Sequence, residues 1–117
     1  MRFPVFRVLG RVLVQGPSMA PTLRHGDQLL VVRRGRARPG ALVVVRLPDG
    51  TLAVKRFVRN VDEEALWVEG DNPFGSTDSR TVGPLPATAL VGVAIARIWP
   101  YPRLLTGVGE PQRAISD

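Results

Sequence analysis

The chain has 117 residues, 44% of them hydrophobic, and its 16 Lys and Arg against 10 Asp and Glu give a formal net charge of +6. This length suits one domain with its own core. The sequence has no Cys and one His, which excludes disulfides, thiolate metal sites and a multi-histidine metal site within one chain. The positive charge suits an acidic partner, a nucleic acid or an anionic membrane surface, and also ordinary solubility.

The N-terminal residues 1–11 are apolar but are interrupted by Arg7 and Arg11. No run in the chain approaches the ~18–20 apolar residues of a membrane span. No small-residue cleavage site follows a long apolar core, as a signal peptide would require. We therefore expect a short basic and apolar arm that leads into a strand, with contact at a membrane surface as the alternative.

The pattern of the chain predicts a mainly β fold. Short runs rich in Val and Leu, separated by Pro, Gly and Asp, indicate strands joined by turns. With 11 Pro and 12 Gly, long helices are not expected. In chain order we predict strands at 11–15, within 27–34, at 41–47, 51–60 and 65–70, then a loop over 71–86, a helical turn at most near 87, and a last strand ending near 99.

This order of elements favours one compact antiparallel β-sheet or partly open barrel, with little helix. The folded β domain is predicted to span residues 12–102. After Pro102 the pattern is lost, and residues 103–117 are predicted to form a flexible tail.

A turn crowded with arginine follows the second predicted strand, and it supports a non-enzymatic alternative. A basic β module that binds nucleic acid would use Arg33, Arg34, Arg36 and Arg38 and would show steeply salt-dependent affinity. Only 6% of the residues are aromatic, and no stacking platform for bases is visible. We therefore interpret the turn as a solvated loop or as a contact for an acidic protein, and expect no nucleic-acid partner.

Lys55 is the only lysine among the sixteen cationic residues. Strand alternation places Ala53, Lys55 and Phe57 on one face of the segment "TLAVKRFV", so the amine has apolar neighbours. Burial lowers the pKa of a lysine, and a neutral lysine can accept a proton, which an arginine cannot. Lys55 is thus a candidate general base. The alternative is a lysine whose amine reaches solvent from the edge of the sheet.

Ser18 is held between prolines in "GPSMAPTLRHGD", residues 16–27. A serine hydroxyl needs a base to become a nucleophile, and a Ser–Lys pair is one known arrangement. His25 follows seven residues later, across a turn, and is interpreted as a solvated turn residue. The prolines would restrict the backbone around a nucleophile, but they would equally form an ordinary turn.

Four blocks of the chain together resemble the type I signal peptidase family of serine proteases. They are "GPSMAPTLRHGD", "LAVKRFV", "EGDNPFGSTDSR" and "GPLPATALVGVAIARIWP", which occur in the family's order and cover residues 12 to about 100. The resemblance implies that residues 12–102 form a catalytic β domain. It also implies that no metal or other cofactor is needed.

The resemblance implies a role for each matching residue. Ser18 would be the nucleophile, with its N–H stabilising the oxyanion, and Lys55 the general base. Ser76 would orient the amine, Asp78 and Arg80 would form a supporting ion pair, and Asp71 would contact Arg56. The loop would be shaped by Gly70, Asp71 and Asn72, and the substrate would bind as a strand beside Gly16, Pro17, Ser18 and Met19.

The chain departs from the family pattern at the oxyanion site. Some members have a serine two residues before the nucleophile, where this chain has Gly16, and Pro17 has no N–H. Loss of one such donor typically costs about 10²–10³-fold in rate. The usual N-terminal membrane anchor and the large second β domain are not found in this sequence.

Three stretches, "GPSMAPTLRHGD", "DNPFGSTDSR" followed by "VGPLP", and the ending "ARIWP", point to a compact subfamily. In them the chain resembles the proteases that mature nickel-type superoxide dismutase. This resemblance implies a cytoplasmic enzyme, with peripheral membrane contact as a variant, that removes an N-terminal extension from the dismutase precursor. The enzymatic alternative is a general signal peptidase that processes secreted precursors at a membrane. A self-cleaving repressor fits less well, because only seventeen residues precede Ser18.

Overall fold

The fold is almost entirely β. A computed structural model describes residues 7–33 and 37–105, without the side chains of residues 7–9. The strands are Arg7–Leu13 (β1), Gln28–Arg33 (β2), Leu42–Arg46 (β3), Leu52–Asp62 (β4), Ala65–Glu69 (β5), Leu85–Pro86 (β6), Leu90–Trp99 (β7) and Arg103–Leu104 (β8). The helical parts of this region are one turn at Ser79–Val82 (α1) and a 3₁₀ turn at Ala87–Ala89. The predicted mainly β class is confirmed.

The eight strands of the described region form one antiparallel sheet in the order β1-β2-β7-β3-β4-β5-β6, with β8 on β7. The sheet curls into a half-barrel. Strands β1 and β4 are separated in this order by three others. Because the sheet is curled, the end of β1 and the start of β4 nevertheless line a common groove.

Apolar side chains cover both faces of the sheet. Strand β3 illustrates this, since Leu42 and Val44 belong to one buried cluster while Val43 and Val45 belong to another. A strand with apolar residues at every position is typical of a strand that is buried on both faces. The first cluster also contains Met19 and Leu23, so the turn after β1 is packed against the sheet.

Three segments differ from the predicted bounds. Strand β1 begins at Arg7, four residues before the predicted start, and pairs with β2 from Arg7↔Arg33 onward. Strand β4 continues to Asp62 because it remains paired with β5 up to Asp62↔Ala65. The predicted loop over 71–86 contains α1 and β6. The helical turn near residue 87 and the last long strand agree with the prediction.

The chain does not leave the sheet at Pro102. Arg103 and Leu104 pair with Arg97 and Ala96 of β7, and Leu105 is buried in the first cluster with an exposed fraction of 4%. Two paired residues are too few to produce a recognisable alternation, so the sequence pattern could not reveal β8.

Some predicted segments lie outside the described residues. These are most of the arm (1–6), most of the tail (106–117), and residues 34–36 of the arginine turn, including Arg34 and Arg36. The flanking Arg33 and Arg38 are exposed. Across the described parts of the chain, no helix has the length and apolar character needed to traverse a membrane.

Leu105 and Leu104 provide a matched test of where the folded domain ends. Because Leu105 is 4% exposed and Leu104 is 81% exposed, only Leu105→Ala removes buried apolar volume. We expect Leu105→Ala to lower the free energy of unfolding by about 2–5 kcal/mol. Leu104→Ala should change it by less than about 0.5 kcal/mol. Urea denaturation checks both values, and equal small effects would show that the fold ends before Leu105.

Candidate active site

The turn that carries Ser18 is closed by backbone hydrogen bonds at its base. Val14 N–H donates to the Asp27 carbonyl and Gly26 N–H donates to the Val14 carbonyl, both at 2.8 Å. Within the turn Met19 is 1% exposed and packs in the first core cluster. Ser18 itself is half-buried. The buried neighbour thus anchors the serine, while the serine remains accessible.

The three residues that end at Ser18 differ in their backbone N–H groups. Gly16 N–H donates to His25 Nδ1 at 3.0 Å, and Pro17 has no N–H. The Ser18 N–H has no hydrogen-bond acceptor within residues 7–33 and 37–105. It therefore remains available to an added group. Gly16 has φ +83°, a left-handed conformation that suits glycine.

Lys55 lies on β4 opposite Val43 of β3, and it is 3% exposed. The alternation predicted from the sequence is present, since Ala53 and Phe57 pack in the second core cluster and Val54 packs in the first. Lys55 Nζ is 3.1 Å from Ser76 Oγ and donates a hydrogen bond to it. The amine is thus enclosed by the fold and does not reach solvent from a sheet edge.

Ser76 connects the amine to a buried carboxylate. Ser76 Oγ donates to Asp78 Oδ2 at 2.8 Å, and Asp78 is 1% exposed. Asp78 Oδ2 also accepts from Gly70 N–H at 2.7 Å and from Arg80 Nη2 at 2.6 Å. Asp78 caps α1 by accepting from Arg80 N–H as well. The loop after β5 is therefore organised around one carboxylate.

The pKa values of Lys55 and Asp78 are both lowered, the first because of burial and the second in spite of it. Burial lowers the pKa of the Lys55 amine, the Asp78 carboxylate opposes that shift, and Arg80 adds to it; the net pKa is below the ordinary lysine value. Burial alone would raise the pKa of Asp78, but hydrogen bonds from Arg80, Gly70 N–H and Ser76 hold it well below the ordinary range. Asp78 therefore stays ionised while Lys55 is biased toward the neutral amine.

Gly70 allows the serine turn and the Ser76 loop to approach each other. A Cβ on Gly70 would collide with Ser76 Oγ and would lie 2.7 Å from the Ser18 carbonyl oxygen. Both oxygens therefore lie against the same side of Gly70. Asn72 joins the same segments, because its N–H donates to the Ser18 carbonyl at 2.9 Å and its Nδ2 to the Pro17 carbonyl at 3.1 Å.

A second carboxylate ties the serine turn to the lysine strand. Asp71 accepts from Arg56 Nη2 at 2.6 Å and from Thr22 Oγ1 at 2.6 Å, and its N–H contacts Met19 Sδ at 3.4 Å. Although burial raises it, the pKa of Asp71 is lowered overall by hydrogen bonds from Arg56 and Thr22. Arg56 follows Lys55 directly, so Asp71 fixes the serine turn relative to the strand that carries the amine.

The structure brings most of the predicted site residues into one region. Lys55, Ser76, Asp78 and Arg80 form one connected set, and Arg56, Asp71 and Met19 form a second. Gly70 and Asn72 connect the first set to Ser18 and Pro17. No hydrogen bond joins Ser18 to the Lys55 amine in the described part of the chain. Gly16 does not offer its N–H to the site, because His25 occupies it.

A groove of about 250 Å³ runs beside Ser18. Its lining comes from the end of β1 and the turn that follows, from β3 and from the start of β4. The lining residues are Val12, Leu13, Val14, Gln15, Ser18, Met19, Val44, Thr51, Leu52, Ala53 and Val54. A larger depression of about 620 Å³ involves Phe57, Asn60 and Glu63. Its lining includes none of the predicted site residues, so the smaller groove is the better candidate for substrate binding.

Sequence reasoning missed Thr22 and gave His25 only a solvated role. Thr22 contacts Asp71 across 49 residues of sequence, and no local pattern signals such a contact. His25 is exposed as predicted, but its Nδ1 accepts the Gly16 N–H. The position of both residues inside the tight turn around Ser18 was the available signal.

In the described residues, no group of three or more His, Cys, Asp or Glu is arranged to hold a metal ion.

Comparison with known proteins identifies the family of the chain. Residues 9–94 match the family model described as Peptidase S24-like, a range that includes Ser18, Lys55 and Ser76. The chain belongs to the Peptidase S24-like family.

Individual relatives are named as proteases of the mitochondrial inner membrane. The chain is 31% identical over 121 residues to mitochondrial ATP-independent inner membrane protease subunit 1a of Arabidopsis thaliana, covering 80% of this chain and 72% of the relative. It is 31% identical to mitochondrial inner membrane protease subunit 1 of Xenopus tropicalis, covering 81% and 72%. For subunit 1 of Homo sapiens the identity is 28%, covering 78% and 70%.

Arg80 offers a test of the electrostatics around Lys55. Arg80→Gln removes a positive charge that lowers the pKa of Lys55 and leaves the Asp78 charge, which raises it, less compensated. The pKa of Lys55 should therefore rise. Since peptide cleavage would need the neutral amine, the acidic limb of kcat/KM against pH, on which activity rises as the amine loses its proton, should move to higher pH. An unchanged or downward-shifted limb, with folding intact by circular dichroism, would contradict this assignment.

Proposed function

We propose that the protein is a serine endopeptidase in which Ser18 is the nucleophile and Lys55 is the general base, and that it removes an N-terminal extension from a protein precursor. The observation that carries the proposal is the buried Lys55 amine, 3% exposed and hydrogen-bonded to Ser76. Family membership supports a peptidase. The connection of Ser18 to the same loop, through Asn72 and Gly70, supports the choice of serine.

The direction of the hydrogen bonds favours Lys55 as a base. Ser76 has one hydroxyl proton, and it donates that proton to ionised Asp78. Ser76 must therefore accept from Lys55, which uses one N–H of the amine. A neutral amine held in this way still has its lone pair, which is free to accept a proton from Ser18.

In the proposed reaction, Lys55 Nζ takes the hydroxyl proton as Ser18 Oγ bonds to the scissile carbonyl carbon. The Ser18 N–H, which has no acceptor in the described residues, stabilises the resulting oxyanion. The ammonium then returns the proton to the leaving amine as the peptide C–N bond breaks. Lys55 next deprotonates a water, which attacks the acyl-enzyme, and protonation of Ser18 Oγ regenerates the free enzyme.

The groove beside Ser18 suits an extended peptide. The pairing of β5 with β4 begins at Arg56, so in the described residues no strand pairs with residues 52–55 of β4 on that side. The end of β1 forms the opposite wall of the groove. A peptide that binds here would form backbone hydrogen bonds as an added strand, and small apolar side chains would fit the Val and Ala lining.

The proposed substrate is the precursor of a nickel-type superoxide dismutase, and the proposed location is the cytoplasm. Both rest on the resemblance of "GPSMAPTLRHGD", of "DNPFGSTDSR" followed by "VGPLP", and of the "ARIWP" ending to that maturation subfamily. The names of the curated relatives favour a second candidate, the processing of precursors at a membrane. The two candidates share the same chemistry at Ser18 and differ only in substrate and location.

Substitution of the two reacting residues tests the mechanism. Ser18→Ala and Lys55→Met should each lower kcat by about 10⁴-fold or more, because a nucleophile and its base act as a unit. Lys55→Arg should be equally inactive, since guanidinium does not release its proton at neutral pH. The measurement is cleavage of a precursor peptide, with Arg46→Lys as an exposed control. Cleavage by purified Ser18→Ala at an undiminished rate would refute the proposal.

The substrate is tested by incubating the protein with two precursors and identifying new N-termini by mass spectrometry. The nickel dismutase precursor should be cut at one site near its N-terminus by the wild-type protein and not by Ser18→Ala. A secretory precursor in detergent micelles is the comparison. Exclusive cleavage of the secretory precursor would replace the dismutase by the membrane-side candidate and leave the Ser–Lys mechanism intact.

A further inference from the structure

His25 lies nine residues from Gly16 in sequence and accepts its N–H through Nδ1 at 3.0 Å. We propose that His25 is a positioning residue: its neutral imidazole fixes the Gly16 backbone and thereby holds the turn that presents Ser18. This inference rests on the proposed role of Ser18. His25 is exposed and is not assigned any contact with the reacting atoms.

The His25 contact extends a short ladder of backbone hydrogen bonds. Val14 pairs with the Gly26–Asp27 backbone through two bonds of 2.8 Å. Beyond Val14 this backbone pairing between the two sides of the turn ends, and in the described region Gly16 N–H has no backbone acceptor. The side chain of His25 supplies the acceptor in place of a carbonyl. The ladder is thus carried two residues closer to Ser18.

The restrained residue is the one that most needs restraint. Glycine has more accessible backbone conformations than any other residue type, and Gly16 adopts φ +83° here. Pro17 has no N–H, so Gly16 N–H is the last backbone donor before Ser18. A hydrogen bond at this point therefore fixes the direction in which the chain enters the nucleophile position. Displacement of a reacting group by about 1 Å is enough to reduce a rate by about 10²-fold.

The contact also defines the protonation state of His25. Gly16 N–H can only donate, so Nδ1 must be unprotonated and the proton of the neutral ring must lie on Nε2. A protonated ring would place a second donor against Gly16 N–H and would release the turn. The charged groups of this turn are Arg24 and Asp27. Asp27 is buried and binds Arg24 N–H and Arg97 of β7, and no ion pair involves His25 in the described residues.

Two substitutions separate the acceptor from the rest of the side chain. Asn places Oδ1 close to the position of Nδ1 but does not titrate, whereas Ala removes the acceptor. We expect His25→Ala to lower kcat by about 10-fold or more with little change in KM. His25→Asn should keep kcat within about 3-fold of wild type. Wild-type activity for Ala, or equal impairment by Asn and Ala in proteins with the same urea midpoint, would overturn the proposal.

The tautomer can be measured without any activity assay, because the chain has one histidine. Long-range ¹H–¹⁵N correlation of ¹⁵N-labelled wild-type protein at about pH 8 should show the ring protonated at Nε2 and unprotonated at Nδ1. Protonation at Nδ1 would overturn the inference about His25. Failure of the proposed protease function appears separately, as cleavage retained in Ser18→Ala.

Discussion

The site depends on one constraint, an amine that the fold encloses with no carboxylate of the described residues in direct contact. Burying an ammonium is unfavourable unless it is paired, so enclosure biases Lys55 toward its neutral form. Its hydrogen bond in the described structure is to Ser76, and the negative charge of Asp78 lies one hydrogen bond further away. Direct contact with that carboxylate would have stabilised the ammonium and removed the basicity that a proton acceptor needs. The intervening serine orients the amine while limiting that stabilisation.

The rest of the fold serves to bring a turn and a strand together around that amine. Strands β1 and β4 are not neighbours in the sheet, so its curl and the loop after β5 must join them. Gly70 permits the close approach, since any Cβ there would collide with Ser76 and the Ser18 carbonyl. Asp71 connects the same two segments on its other side through Arg56 and Thr22. The geometry of the site therefore comes from a few polar contacts between the serine turn, β4 and the loop after β5.

The sequence predicted the mainly β fold class because the signals of strands and turns are local. A run of apolar residues indicated β3. Alternation gave Lys55 apolar neighbours but left open an amine that reaches solvent from a sheet edge. Short or long-range features had no such signal: β8 is two residues long, and Thr22 meets Asp71 only after folding. The role of His25 depends on the closure of its turn, which brings a side chain to a backbone amide that no propensity describes. The roles of Ser76 and Asp78 came from the family resemblance, because serine and aspartate in a loop read equally well as turn residues.

The most direct test of the central claim is a titration of the Lys55 amine itself. Lys55 is the only lysine in the chain, so protein labelled with ¹³C and ¹⁵N in lysine gives one side-chain Nζ signal, free of overlap. The chemical shift of the adjacent Cε, followed against pH, reports the loss of the proton. The account predicts a midpoint below the ordinary lysine value of about 10.4, in the direction set by burial. A midpoint at or above that value, in folded protein, would contradict it.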